Sequence, residues 1–535
     1  MGRCSRSLFI FLLISTRPLL FAHHQSMIQE QRPLPPATID PGPDAALLRL
    51  HIIDAGRIET TSATICVNDG AHEPENDPYK RFSLRQSANR HKGPIRFRPL
   101  DYYFYSNGRS EVRVLPGRVK LEIMKGYEYA PKIIEIDCTA SDTLDLDIKI
   151  EKAIDMQALG WYSGDTHIHM NRTGANDDTL LTITSAKNIR YAYLLSMNTM
   201  GYDRGEDFES WQQQKGLGDA SIYQKGPYFI CSGQEYRTRQ LGHVTIIMPD
   251  EYVPGVGRTD DVERGPSLAV IANQTHDVNG YIGLAHGGYS HQEADGLLLD
   301  NKMDFLELLQ FGGYRSLGLD GWYDFLNIGF RIPIVGACDY PYTRELSSEI
   351  TYVWSNETPT PRSFARLVAE GKSFATTGPM LFFEIASQKP GETLNFPAET
   401  DTTLTVHIKV KSPIYPVRYV ETIVNGSIVD RVEYQELQEQ IELYRHLRIK
   451  KSSWIAVRTF AEAGTEAHTN PVYCYVGDEL PFNRDSARHI ITRLDGSMES
   501  IKNDNVIKKL KWLKSELLKT LQGKISQLPF PALNK

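Results

Sequence analysis

The chain has 535 residues, 41% hydrophobic and 23% charged, which is ordinary globular composition. At roughly 150 residues per domain this length suggests about three or four domains, with a core large enough to need no staples. That excludes a disordered chain, a collagen-like rod and a polytopic membrane protein. With 59 basic against 66 acidic side chains the formal charge is −7, so a polynucleotide finds no electrostatic footprint and nucleic acid is not an expected partner.

The first residues read MGRCSRSLFIFLLISTRPLLFA. Arg3 and Arg6 form a basic start, residues 8–14 an apolar stretch and Leu20-Phe21-Ala22 a cleavage site, which is the pattern of a secretory signal over residues 1–22. No other run of 18 apolar residues occurs. The expectation is an exported protein, periplasmic or extracellular, with no integral membrane segment after signal removal. Six cysteines are present, Cys4, Cys66, Cys138, Cys231, Cys338 and Cys474, and none forms a CxxC pair. A thiolate zinc site or a dithiol redox site therefore has no support. In an exported protein Cys66 and Cys138 could pair; single buried thiols are the other reading.

Residues 23–44 are rich in proline and polar residues and read as a linker. Residues 45–153 alternate apolar and polar side chains, as in Val119-Lys120-Leu121-Glu122-Ile123 and Leu144-Asp145-Leu146-Asp147-Ile148, with turn residues such as Leu115-Pro116-Gly117 between runs. This predicts an antiparallel β-sandwich. Over residues 159–385 apolar, β-rich runs (191–195, 228–231, 244–248, 281–285, 305–309, 332–337) alternate with helical stretches. Such alternation suits an α/β barrel, whose functional residues sit at the C-terminal ends of strands. Residues 386–480 return to alternation at Leu404, Val406, Ile408 and Val410, with an Asn425-Gly426 hairpin signal, and predict a second small β-sandwich. The tail, 481–535, is helical. Its stripe Val506, Leu510, Leu513, Leu517, Leu521 either docks on this chain or mates with a partner helix.

The most informative string is Gly164-Asp165-Thr166-His167-Ile168-His169. Residues two apart on a strand share a face, so His167 and His169 can bind one metal together. An isolated HxH is common by chance, and its bland reading is a pair of surface histidines. Further ligand types border the later apolar runs: Glu235 after 228–234, His243 just before 244–248, His286 after 282–285 and Asp339 after 334–338. A buried acid and four histidines converging on one rim would be costly without a cation. Arg237, Arg239 and Arg344 lie near these motifs and suit an anionic substrate group or structural ion pairs. His276 and His291 are proton-donor candidates, and Tyr289 and Tyr340 pocket-lining ones. No GxSxG elbow, P-loop or GxGxxG is present.

Taken together, GDTHIH (164–169), SGQEYRTRQLGH (232–243), GLAHGG (283–288), GWYDFLNIGFRIPIVGACDY (321–340) and GKSFATTGP (371–379) resemble the PHP (polymerase and histidinol phosphatase) superfamily, in its carbaryl-hydrolase-like metallohydrolase branch. The resemblance implies an α/β fold: a distorted (β/α)7 PHP-type barrel flanked by two small antiparallel β-sandwiches and a helical tail. It implies one or two divalent ions per chain, zinc, manganese or iron. His167, His169, Glu235, His243, His286 and Asp339 are the implied metal ligands, with Glu235 bridging, and Glu235 and Asp339 carrying the chemistry. Two departures stand out. Leu195-Ser196-Met197-Asn198 replaces the usual TDH-like segment, and Pro341 stands at a usual histidine position. Met197 is a poor ligand for a hard ion, and Asn198, Asp177 or Asp178 are the available substitutes. The expected activity is metal-activated hydrolysis of a phosphoester, ester or carbamate/amide bond in a small molecule. The alternative is a catalytically degenerate secreted metal- or carbohydrate-binding protein. Nothing in the sequence sets an oligomeric state.

Overall fold

Alternation in residues 46–150 becomes two four-stranded sheets. In one, Ala46–Asp54 lies between Arg109–Val114 and Thr143–Ile150 and also pairs with Glu59–Thr60. In the other, the order is Phe104–Ser106, Ala63–Val67, Gly117–Met124, Lys132–Cys138. Leu48, Leu50, Ile52 and Val112 of the first sheet share one core with Ile65, Val119, Leu121 and Ile123 of the second. The expected pairing needs two corrections. Ala46–Asp54 and Thr143–Ile150 run parallel, not antiparallel. Nor do the two strands separated by the turn residues Leu115-Pro116-Gly117 pair with each other: they lie in different sheets, and Gly117, at φ +127°, lets the chain cross between them. Cys66 and Cys138 lie on strands either side of Gly117–Met124, opposite Glu122 and Gly117. Those partners are five residues apart, about 16 Å along a strand. Both cysteines are free buried thiols, as are Cys231, Cys338 and Cys474.

The computed structural model describes residues 38–83, 102–200, 216–238, 240–254, 266–288, 292–343 and 345–530. The signal-like residues 1–22, Cys4, Arg239, Tyr289, His291 and Arg344 lie outside them, as does the side chain of Asn198.

Between Trp161 and Thr376 the apolar runs build a central sheet. Trp161–Ile168, Tyr191–Met200 and Tyr228–Thr238 lie parallel, side by side. Gly242–Ile247 then returns antiparallel, and Tyr281–Leu284 runs antiparallel to it. Phe305–Gln310 and Ile334–Gly336 follow in parallel. Ile350–Trp354 covers the other edge of Trp161–Ile168, antiparallel. The two ends approach each other: Ile168 bridges Tyr340, and Thr351 Oγ1 bonds both the N–H and the carbonyl of Gly336, at 3.0 and 2.9 Å. Helices Asp177–Ala186, Leu268–Asp277, Ala294–Leu299, Gly318–Asn327 and Pro361–Ala369 lie between these strands in sequence. The result is a mixed α/β chain, rich in strands and arranged in several sheets, with helices at its C-terminal end. Regular strand–helix alternation breaks between Tyr228–Thr238 and Gly242–Ile247, because strands running antiparallel need only a short connection where parallel ones need a crossover.

Downstream, Met380–Ile385, Thr402–Lys411 and Gln440–Ile449 form a three-stranded sheet. Asn425 and Gly426, both left-handed at φ 48° and 79°, make the expected turn between Val417–Val424 and Ser427–Gln438. Glu466–Thr469 pairs with Ser373–Thr376, so this region is stitched to the central sheet. There burial pushes the Glu466 carboxyl up to about 7, against the opposing effects of Tyr314 and Arg458. Its folded value lies above the unfolded one, so stability is fully present below about pH 4.5 and declines as pH rises towards 7. Glu466→Gln removes this slope. Urea titrations from pH 4.5 to 8 should show the variant gaining on the parent by an amount of order 3 kcal/mol at the alkaline end. Parallel curves would contradict the assignment.

The tail docks in cis. Arg484–Ser500 and Asp504–Leu521 are capped by the Asn483 and Asn503 side chains. Val506, Leu510, Leu513, Leu517 and Leu521 are buried in a cluster with Leu297, Leu298, Leu319 and Trp322 of the α/β region. Arg493 adds ion pairs to Asp295 at 2.7 Å and Asp324 at 2.8 Å. A Cβ on Gly296 would stand 2.3 Å from Leu510 Cδ2. Gly296→Val is therefore expected to cost about 1–3 kcal/mol through overpacking, read as a lower denaturation midpoint. An unchanged midpoint would mean the tail does not pack there. Among the described residues no helix is long and apolar enough to cross a membrane.

Candidate metal centre

Strand direction explains why one rim collects the polar residues. His167 and Glu235 stand near the C-terminal ends of the two parallel strands that flank Tyr191–Met200, and His169 directly follows the first. His243 opens its strand, but that strand runs antiparallel to Tyr228–Thr238 and starts where the other ends, with Thr245 opposite Glu235. His286 and Asp339 follow their strands in left-handed backbone, at φ 57° and 50°. A non-glycine residue held there stores of order 1–3 kcal/mol of strain, which is typical of functional sites. Asp165 Oδ1 ties two of these segments together, accepting from His167 N at 3.0 Å and Cys338 N at 3.3 Å.

All six predicted side chains converge. Glu235 Oε1 is 3.1 Å from His243 Nδ1 and 3.3 Å from His286 Nε2, while Oε2 is 3.3 Å from His169 Nε2. Asp339 Oδ1 lies 3.3 Å from His167 Nε2 and 3.4 Å from His169 Nε2. The two imidazoles at the head of the constellation face each other, Nε2 to Nε2, at 3.0 Å. The His167 side chain is fully buried and that of His169 only 6% exposed.

The outer nitrogens decide what these contacts mean. His167 Nδ1 meets Glu307 Oε2 at 2.7 Å, His169 Nδ1 the Leu195 carbonyl at 3.1 Å, and His286 Nδ1 the Gln310 Oε1 at 2.7 Å. Each partner accepts, so each Nδ1 donates its hydrogen and each neutral ring turns the Nε2 lone pair inward. Lone pairs facing at 3.0 Å repel unless a positive charge lies between them. Glu235 Oε1 and Asp339 Oδ1 also receive no hydrogen bond of acceptable geometry despite their burial. Both observations fit a cation-binding cage.

Electrostatics agree. Burial alone would lower His169, but Asp339 and Glu235 outweigh it and bring it up to about 9. His167 is likewise held well above the usual range by Glu307 and Asp339 against its burial, while burial prevails at His243 and lowers it. Burial would raise Glu235, yet the surrounding histidines hold it well below the usual carboxylate range. A cluster that draws in positive charge this strongly would release protons to a divalent ion.

Among the described residues three groups have donor atoms close enough for an ion: His167, His169 and Glu235; Glu235, His243 and His286; and His167, His286 and Glu307. In the third, Glu307 already accepts from His167 Nδ1 and, through its other oxygen, from Thr245 Oγ1 at 2.9 Å. It acts as an orienting group behind His167. The sequence reading missed Glu307, Gln310 and Thr245, although a lone acid within the apolar run Phe305–Gln310 was a visible signal.

Other candidates are engaged elsewhere. Asp177 binds Arg172 at 2.7 Å, Asp178 binds Lys225 at 3.1 Å, and the partly exposed His276 pairs with Asp304. These aspartates do not take the place of the usual second-strand ligands. Tyr340 bonds the Phe82 carbonyl at 3.3 Å rather than lining the site. Met197 pairs in register with Glu235 and meets Arg237 Nη1 at 2.9 Å.

No protein-family model and no curated protein matches the chain. Among solved structures it is similar to the novel lesion-specific endonuclease PfuEndoQ from Pyrococcus furiosus, with 14% identity and a TM-score of 0.25 over 40% of this chain and 56% of that one. It is also similar to an engineered protein, with 11% identity and a TM-score of 0.14 over 56% of this chain and 52% of that one. The chain thus spans little more than half the length of either structure. These likenesses are slight, and the site stands on its own geometry.

Proposed function

We propose that the protein is a metal-dependent hydrolase of the PHP type, its central sheet a distorted barrel and its rim a centre for two divalent ions bridged by Glu235. The observation that carries this reading is the pair of inward Nε2 atoms, 3.0 Å apart, on rings whose outer nitrogens are held by Glu307 and the Leu195 carbonyl. His167, His169 and Asp339 would hold one ion and His243 and His286 the other, with Glu235 contributing to both. Imidazole and carboxylate donors suit zinc, manganese or iron. When bound, such ions supply Lewis acidity and lower the pKa of water towards neutrality.

The chain's own groups do the rest. Glu307 and Gln310 fix the ring orientations of His167 and His286. Asp165 locks two ligand segments together, and the buried walls keep bulk water from the inner face. Asp339, whose Oδ2 lies 3.7 Å from His286 Nδ1, would complete the shell or take up a proton. We further propose a small-molecule substrate and an exported location, the latter resting on residues 1–22.

The test is reconstitution with zinc, manganese or iron, followed by assay on phosphate, carboxylate and carbamate esters. Turnover that appears with metal and disappears with chelator supports the proposal. Full metal loading with no turnover on any ester would favour a secreted metal-binding protein instead.

A further inference from the structure

Resting on the hydrolase reading, we infer that Arg237 is the specificity-determining residue of this centre and anchors an anionic oxygen group of the substrate. Arg237 follows Glu235 by two on one strand, so both side chains leave the same face. Its Nε is 3.6 Å from Glu235 Oε2, the oxygen that faces His169. Its Nη1 touches Met197 Sδ, and the same sulfur lies 3.9 Å from Tyr342 Oη. The Tyr342 ring stands edge-on to the His169 ring at 6.1 Å. Arg237, Met197 and Tyr342 thus form one wall running from the ligands to solvent. The guanidinium side chain is 17% exposed, and Tyr342 is 38% exposed at the outer end.

Charge selects the ligand. Two divalent ions bring four positive charges to a cage with two inward carboxylates, Glu235 and Asp339, and a third, Glu307, behind His167. Arg237 adds a permanent fifth charge beside them. A neutral ester or carbamate leaves that excess uncompensated in a poorly solvated site. A phosphoryl or carboxylate oxygen matches it and meets the guanidinium fork in a charge-assisted pair.

Calorimetry on the metal-reconstituted full protein tests this with inorganic phosphate, acetate and neutral trimethyl phosphate as probes, alongside Arg237→Met and Arg237→Lys. Both variants should keep the parent's metal content. Arg237→Met should bind at least one anion ~10-fold or more weakly, the scale of a lost charged hydrogen bond, and Arg237→Lys should recover part of the loss. A larger effect on phosphate assigns a phosphoryl group; a larger effect on acetate assigns a carboxylate. Trimethyl phosphate should bind the parent weakly. Anion affinities that ignore Arg237→Met at full metal content overturn this inference alone. A parent protein that takes up no metal overturns the hydrolase reading, and this one with it.

Discussion

Glu235→Ala is expected to lose divalent metal by at least ~10³-fold in affinity, about 4 kcal/mol, and with it any turnover. Among the described residues Glu235 faces all four histidines: Oε2 lies 3.3 Å from His169, and Oε1 lies within 3.3 Å of His243 and His286 and 3.8 Å from His167. Removing it takes an anionic donor from both proposed ions and leaves four buried imidazoles to bind cations with Asp339 alone. The fold should survive, because Glu235 anchors no backbone and its neighbours Tyr236 and Val244 keep their core packing. Circular dichroism beside metal titration makes the distinction. A folded variant with the parent's affinity would remove Glu235 from the centre.

The second large effect is expected one layer out. Glu307 has no exposed surface and accepts three bonds, one orienting His167 Nδ1, one from Thr245 Oγ1 and a longer one from Gln310 Nε2 at 3.4 Å. Glu307→Leu fills similar space but takes the acceptor from His167 and Thr245, at about 1–3 kcal/mol for each buried group, and removes the Gln310 bond as well. It also frees His167 to rotate or adopt the other tautomer, which points a hydrogen at the ion. Loss of such orienting partners typically costs 10–100-fold in metal affinity, so a fall of ~100-fold is expected together with a lower unfolding midpoint. Glu307→Gln keeps an acceptor for His167 and should recover most of the affinity. Equal losses in both variants would show that the negative charge, not the hydrogen bond, is what matters.

The members of the cluster were legible because His167 and His169 stand two apart and the other four border apolar runs, and the ends of buried strands are where a sheet can offer polar side chains without breaking its core. His243 is the instructive case. It opens its run rather than closing it, yet reaches the same rim because its strand is reversed. Glu307 was not legible as a partner: its role depends on His167 lying across the sheet, a contact 140 residues away in sequence. The same limit explains the N-terminal region. Alternation shows which side chains face inward, but not that Ala46–Asp54 would choose Thr143–Ile150 as a parallel neighbour, since either direction buries the same residues. The tail stripe was visible as a stripe. Its docking surface was settled by Gly296, whose missing side chain leaves room for Leu510.

The central claim is that the buried cage is a metal centre, and the most direct measurement is an ion count per chain. Elemental analysis of the purified protein, after reconstitution with zinc or manganese and removal of free ions, should find two tightly held divalent ions per chain in the parent. Glu235→Ala, treated in the same way, should hold none. A parent protein that emerges without metal under both conditions would contradict the account, and the inward-facing histidines would then need another source of positive charge.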